Sequence, residues 1–313
     1  MDIYNLKKQL EKSIKKIGAL ALLCVAFSAL VLSGCSCANS DANKADIKKD
    51  VKASEKVIAL TKSIGELWLL SGGSLVGVTE DAIELEGLPK DVVNIGTISS
   101  PNEETIVGLK PDLVLLSADY PAHKTIKDNL DSLGIQTKSI DINSFDDYSQ
   151  IMKELTDITG RSDLFKKNVE DVKDSIDSIL KEYQKSDNKK DATYLCMRVS
   201  ASKNKALKSD YFACDILNDF GLKNVADNNN NNLTDLSLEA ILSANPDYIF
   251  VIYQGKENEA SKVYSDVFTS QDVWKELNAV KNNRTYLLPK DLFQYKPNEK
   301  WADAYKYIYE IIK

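Results

Sequence analysis

The stretch ETIVGLKPDLVLL at 104–116 is matched 135 residues later by EAILSANPDYIFV at 239–251. In each copy a helix-forming segment runs from a glutamate, Glu104 or Glu239, to a proline seven residues on, Pro111 or Pro246. An aspartate and an apolar strand follow. Proline cannot continue a helix and pushes the residue before it out of the helical region, so the pattern closes a helix and enters a strand within a few residues. Its recurrence with the same internal gap predicts two related lobes built on one plan.

The chain around the first copy alternates short apolar runs with helical ones. VIAL, LVGV, VVNIG, LVLLS and IQTKSI read as strands, and IGELWLLSG, NEETIVGLK and HKTIKDNLDSLG as helices. Such alternation calls for a largely parallel sheet covered by helices, here over 56–160. Roughly residues 146–186 read as helical: YSQIMKELTDITG comes first, and LFKKNVEDVKDSIDSILKEYQK, with apolar residues at helical spacing, predicts the long connecting helix within 161–190. The strands ATYLCMRVS, YIFVIY and TYLLP, the helix ACDILNDFG and a last helix from Trp301 make a second lobe over 191–313. The expected fold class is α/β, two three-layer lobes with largely parallel sheets joined by one long rigid helix. The asparagine run at 228–232 is a low-complexity loop.

Ahead of the lobes, Lys7, Lys8, Lys12, Lys15 and Lys16 precede the uncharged run IGALALLCVAFSALVLSG at 17–34. A basic leader feeding an apolar segment is the pattern of an export signal, and a run of this length also just suffices for a membrane anchor. Either reading puts the body outside the cytoplasm. Residues 35–55 are polar and read as a spacer. Without residues 1–34 the chain keeps 35 basic against 45 acidic residues, which gives no general basic character for nucleic-acid binding. His123 is the one histidine, so a histidine-cluster metal site and a convincing Ser-His-Asp or Cys-His pair are excluded. No P-loop spacing occurs. Cys196 and Cys214 sit in apolar strand and helix, where they read as small core residues.

Leu32-Ser33-Gly34-Cys35 resembles the lipobox of bacterial lipoproteins, which implies cleavage before Cys35 and lipid on its thiol. KVIAL, LVGVTEDA, NIGTISSPNEETIVGLKPDLVLLSAD, DITGR, LSLEAILSANPDYIFV and VWKELNAVKNNRTYLLPKDLFQYKPNEKW follow in the order seen in the solute-binding proteins of bacterial ABC importers for iron-siderophore complexes, haem and cobalamin. The resemblance implies two α/β lobes with a ligand cleft between them and noncatalytic capture. It also implies a monomer tethered to the outer membrane face that hands its cargo to a permease driven by a cytoplasmic ATPase. It implies no intrinsic cofactor: the cargo is a chelated-iron compound, a ferric siderophore first, with haem or cobalamin as the alternative. Exposed acids on each lobe would dock the permease, Glu86 or Asp91 on the first and Asp219 on the second. Where the family commonly has arginine before the tryptophan of the last segment, this chain has Lys300.

In open α/β sheets ligands sit at the carboxyl ends of the strands. Those ends offer Thr61 and Lys62, residues 97–100, Asp119, Tyr120 and His123 from the first lobe. The second offers Arg198, Ser200, Lys203, Tyr253, Gln254, Phe293, Tyr295 and Lys296. Aromatic walls and cations suit a bulky chelate, so Tyr120, Arg198, Tyr253, Tyr295 and Lys296 lead, with Lys62 and Lys203 behind. His123 is either an axial ligand to haem iron or cobalt, or a cap on its helix. Rival classes are an extracellular lipoprotein enzyme, for which the sequence shows no assembled catalytic set, and an adhesion lipoprotein, which would lack a deep cleft.

Overall fold

The structure, a computed structural model, describes residues 56–185, 191–228, 233 and 236–313. The leader, Cys35, the spacer and residues 229–232 of the asparagine run lie outside the described residues. Among the described residues no helix is long and apolar enough to cross a membrane.

The first lobe opens with β1 (Val57–Ala59), α1 (Lys62–Leu70), β2 (Leu75–Val78) and β3 (Val93–Asn94). A two-stranded ribbon of β4 (Gly96–Thr97) and β5 (Ser100–Pro101) leads into α2 (Glu103–Gly108), β6 (Leu113–Ser117), α3 (Pro121–Ser132) and β7 (Thr137–Ile140). The sheet order is β3-β2-β1-β6-β7, every pair parallel. The expected VVNIG strand is cut to two sheet residues because Gly96, at φ +97°, turns the chain into the ribbon. A side chain there would put its Cβ 3.0 Å from the Ser100 carbonyl oxygen, so the turn needs glycine.

Three helical pieces connect the lobes: α4 (Phe145–Thr159), α5 (Ser162–Phe165) and α6 (Asp171–Gln184). The predicted connector is continuous from α5 to α6, but a π turn at Lys166–Glu170 joins them. In this turn the Asn168 carbonyl accepts the Tyr148 hydroxyl at 2.9 Å, and the Asn168 amide donates to the Leu70 carbonyl at 2.9 Å. The irregular turn thus ties the connector to α4 and to the end of α1.

The second lobe runs β8 (Thr193–Val199), β9 (Lys205–Leu207), α7 (Phe212–Asp219), β10 (Lys223–Asn224), α8 (Leu238–Ala244), β11 (Tyr248–Tyr253) and α9 (Glu257–Tyr264). It ends with α10 (Asn278–Lys281), β12 (Thr285–Leu287), α11 (Lys290–Phe293) and α12 (Trp301–Ile312). The order β10-β8-β11-β12 is parallel, and β9 folds back antiparallel on β8, a hairpin not expected from the sequence.

The repeat is reproduced down to single hydrogen bonds. Asn102 caps α2 by accepting from the Thr105 amide, and Ser237 caps α8 by accepting from the Ala240 amide. Lys110 and Asn245, each just before the proline, take left-handed φ values of 51° and 40°. Asp112 then accepts from the Lys56 amide and Asp247 from the Thr193 amide, both at 3.0 Å. In each lobe this carboxylate pins the entry of the neighbouring central strand, β1 or β8. The Pro-Asp step therefore sets the register of the two strands that flank the point where strand order reverses.

One apolar core runs through both lobes. It joins Val57, Trp68 and Leu115 of the first to Tyr148 and Val169 of the helical connection, and to Tyr194, Phe250 and Trp301 of the second. A shared core opposes wide hinge motion, because separating the lobes would expose its apolar surface.

Candidate ligand-binding site

In the first lobe strand order reverses between β1 and β6, and in the second between β8 and β11. At such a point adjacent loops leave in opposite directions and open a crevice at the carboxyl ends of the strands. The two crevices face one another across a cavity of about 610 Å3. Asp119, Tyr120 and Asn143 line it from one side and Arg198, Lys203, Lys205, Lys208 and Tyr211 from the other. A smaller hollow of about 110 Å3 continues it into the first lobe along Thr61, Lys62, Ser63, Asp81 and Tyr295. Asp119, Tyr120, Gln294 and Lys296 border both spaces.

Local geometry sets each of these groups. Thr61 caps α1 through the Ile64 amide, while the Asp81 carboxylate accepts from the Lys62 amide at 2.8 Å. The positive end of α1 is therefore already held by a carboxylate of the protein. Tyr120 stands at the start of α3, 38% exposed, its phenol pKa raised by burial and by Asp119. On the opposite wall the β8–β9 turn is fastened by Ser200, whose hydroxyl donates to the Lys203 carbonyl at 2.7 Å and accepts from its amide at 3.0 Å. Arg198 lies with its guanidinium carbon 5.9 Å from the centre of the Tyr211 ring, a cation–π contact. The Tyr211 hydroxyl donates to the Phe293 carbonyl at 2.9 Å, which fixes that ring.

Lys296 lines the cavity and is also tied to the opposite lobe. Its ammonium donates to the Ile142 carbonyl, lies 3.8 Å from Asp119 and sits 5.1 Å from the Phe212 ring centre. Burial lowers its pKa, and Asp119 opposes that shift. With a side chain only 17% exposed, it is a strut between the lobes at the floor of the cleft.

His123 is neither an axial ligand nor a surface cap. It is 1% exposed, and its Nδ1 accepts from the Ser117 amide at 3.1 Å while Nε2 lies 2.9 Å from the Ile98 carbonyl. A backbone donor at Nδ1 and an acceptor at Nε2 specify the neutral Nε2–H tautomer. Burial lowers the imidazole pKa. The unfolded chain takes up this proton as pH falls through about 6.5 while the native ring stays neutral, so this contribution to stability is present above that pH and lost on acidification below it. Nitrogen-detected NMR of the single imidazole is expected to show the Nε2–H form from pH 7.5 down to pH 6.5 and below; titration at its free value would refute the assignment.

Of the residues proposed from sequence, Tyr120, Arg198, Lys203 and Lys296 line the main cavity, and Lys62 and Tyr295 the adjoining hollow. Tyr253 does not join them. Side chains alternate across a strand, so Gln254 takes the cavity side and Tyr253 turns into the second lobe's core. It lies edge-on to Tyr264, at 6.1 Å, and borders a separate surface hollow with Glu257 and Pro289. Glu86 and Asp91 are exposed on the first lobe. Asp219 is exposed at the end of α7, its carboxylate accepting the Tyr305 hydroxyl. Lys205, Lys208, Tyr211 and Phe212 were missed. The available signal was KNKALK at 203–208, three lysines directly after an apolar strand. Among the described residues no three His, Cys, Asp or Glu side chains gather to hold a metal ion.

Residues 57–292 match the periplasmic binding protein family. The high-affinity haem uptake system protein IsdE of Staphylococcus aureus is 26% identical over 282 residues, covering 88% of this chain and 92% of that protein. An ABC transporter substrate-binding protein from Listeria monocytogenes superposes with a TM-score of 0.69 at 26% identity, over 83% of this chain and 98% of the other. SirA of Staphylococcus aureus in complex with staphyloferrin B shares the fold, with a TM-score of 0.63 at 23% identity over 85% and 94% of the two chains. Matched over both lobes, and carrying paired parallel sheets that open on one cleft, the chain belongs to the periplasmic binding protein family.

Proposed function

We propose that this protein captures a chelated-iron compound, a ferric siderophore, outside the cytoplasm and delivers it to an ABC importer without chemical change. The observation that carries the reading is the cavity where the strand-reversal points of both lobes meet. It is large enough for a bulky chelate and combines aromatic surface from Tyr120, Tyr211 and Phe212 with guanidinium and ammonium donors. Because the lobes share one core, closure around the cargo is a small adjustment of the two walls. The Cys35 lipid would hold the collector beside its permease, and Glu86, Asp91 and Asp219 are the acids proposed to meet it. Labelled palmitate is expected in the wild-type precursor and not in Cys35→Ser; equal labelling would remove the tether.

Haem is the second reading, favoured by the named activity of the 26% identical relative. Among the described residues the iron would find a tyrosine oxygen. His123 is committed to the backbone, and Met152, Met197, Cys196 and Cys214 are fully buried, whereas Tyr120 and Tyr295 are 38% and 52% exposed. Calorimetric titration with ferric siderophores, haem and cobalamins separates these readings. Saturable one-to-one binding of a ferric siderophore is expected, and a protein that binds none of the three classes would refute iron-chelate or corrinoid capture.

A further inference from the structure

The β8–β9 hairpin places two positive charges where a folded chain ordinarily avoids them. Arg198 pairs directly with Lys205 across the antiparallel ladder, so their side chains leave the same face of the hairpin. Like charges directly opposite one another destabilise a strand pair. Neither has an ion-pair or hydrogen-bond partner for its charged group among the described residues, and both line the main cavity together with Lys203 and Lys208. The first lobe's wall carries acids instead: Asp119 borders the cavity and lies 3.8 Å from the Lys296 ammonium, and Asp81 lies in the adjoining hollow. The second lobe's wall sets four cations, Arg198, Lys203, Lys205 and Lys208, against one acid, Asp210, so the cleft is polarised, with an excess of positive charge on one hairpin of a chain whose net charge is −7.

We infer that the Arg198–Lys205 pair is an anion seat that selects ferric chelates by net negative charge, with the ligand supplying the counter-charge the hairpin lacks. The inference rests on the iron-chelate reading and narrows it to complexes whose donor groups leave them anionic, hydroxycarboxylates or catecholates. Uncharged ferric trihydroxamates are disfavoured because they leave two cations opposed inside a narrowed cleft. Lys205 is the specificity-determining half, since Arg198 is held by Tyr211 while Lys205 is exposed on the edge strand.

The test uses the mature wild-type chain, Lys205→Gln and Lys205→Glu, titrated with a ferric hydroxycarboxylate, a ferric tris-catecholate and a ferric trihydroxamate at two salt concentrations. For the wild type, at least one anionic complex is expected to bind tenfold or more tightly than the trihydroxamate, and to weaken with salt. Which anionic arm binds distinguishes carboxylate from catecholate donors. Lys205→Gln is expected to lose roughly tenfold for the anionic complex and Lys205→Glu to lose more. The ligand-free thermal midpoint is expected to move the opposite way, upward, because Lys205→Glu gives Arg198 a cross-strand partner. A merely structural lysine would not raise stability while losing affinity. Equal or tighter binding of the trihydroxamate overturns charge selection and leaves iron-chelate capture standing. An unchanged or lowered midpoint in Lys205→Glu overturns the opposed pair, and binding of none of the three complexes overturns the functional reading together with the seat.

Discussion

Trp301→Ala is expected to destabilise the protein by about 3–5 kcal/mol, the cost of deleting a large buried aromatic. Trp301 is 0% exposed and sits among rings from both halves of the molecule. Phe145 lies edge-on at 5.9 Å and Tyr148 is tilted at 6.2 Å, both on α4, while Phe212 of α7 lies edge-on at 5.9 Å. Phe212 also lines the ligand cavity and carries Lys296 on its face. Removing the indole should therefore loosen the joint between lobes as well as lower the unfolding midpoint. Urea unfolding gives the energy, and hydrogen exchange should show faster opening of α7 and α12 than of β1 and β6. Trp301→Phe keeps a ring in the same nest and is expected to cost about 1–2 kcal/mol. A change below 1 kcal/mol in Trp301→Ala would show that the joint does not depend on this side chain.

Arg198→Ala is expected to weaken binding of the proposed ferric chelate about 30- to 150-fold, equivalent to roughly 2–3 kcal/mol for a charge-assisted contact in a partly desolvated site. The guanidinium is half-buried and held against Tyr211, so little rotamer freedom remains to be lost when ligand arrives. Arg198→Lys keeps the charge and gives up the planar fork, and an intermediate loss is expected. Arg198→Ala should not lower the stability of the ligand-free protein, because relief of the Arg198–Lys205 repulsion across the ladder offsets the lost contact with Tyr211. Calorimetry beside thermal melting checks both statements, and wild-type affinity in Arg198→Ala would remove this residue from the site.

The frame was legible in sequence because strands and helices are local patterns. The run LVLLS became β6, and the Pro-Asp echo marked the same strand position in both lobes. The site was legible only where strand ends dictate it. Position along β11 correctly brings the chain to the cleft at Gln254, but the one-residue alternation that turns Tyr253 inward is set by the pleat. What holds Lys296 and His123 in place escaped for a related reason. Their roles depend on the Ile142, Ser117 and Ile98 backbone groups, which tertiary folding brings to them. The β9 strand was missed because KAL is three residues long and lacks the alternation that marks a strand; it exists by pairing with β8.

The duplicated Pro-Asp pins have a bearing on how such a protein acquires new cargo. Asp112 and Asp247 fix the strand entries at the end of each sheet away from the cleft, so the frame is secured before any ligand contact is made. The charge that distinguishes one wall from the other resides in the short hairpin from Arg198 to Lys208. That hairpin can therefore change for a different ligand while both sheets keep their alignment. A change of ligand preference made there would be felt in the local stability of the hairpin, with the strand alignment of both sheets untouched.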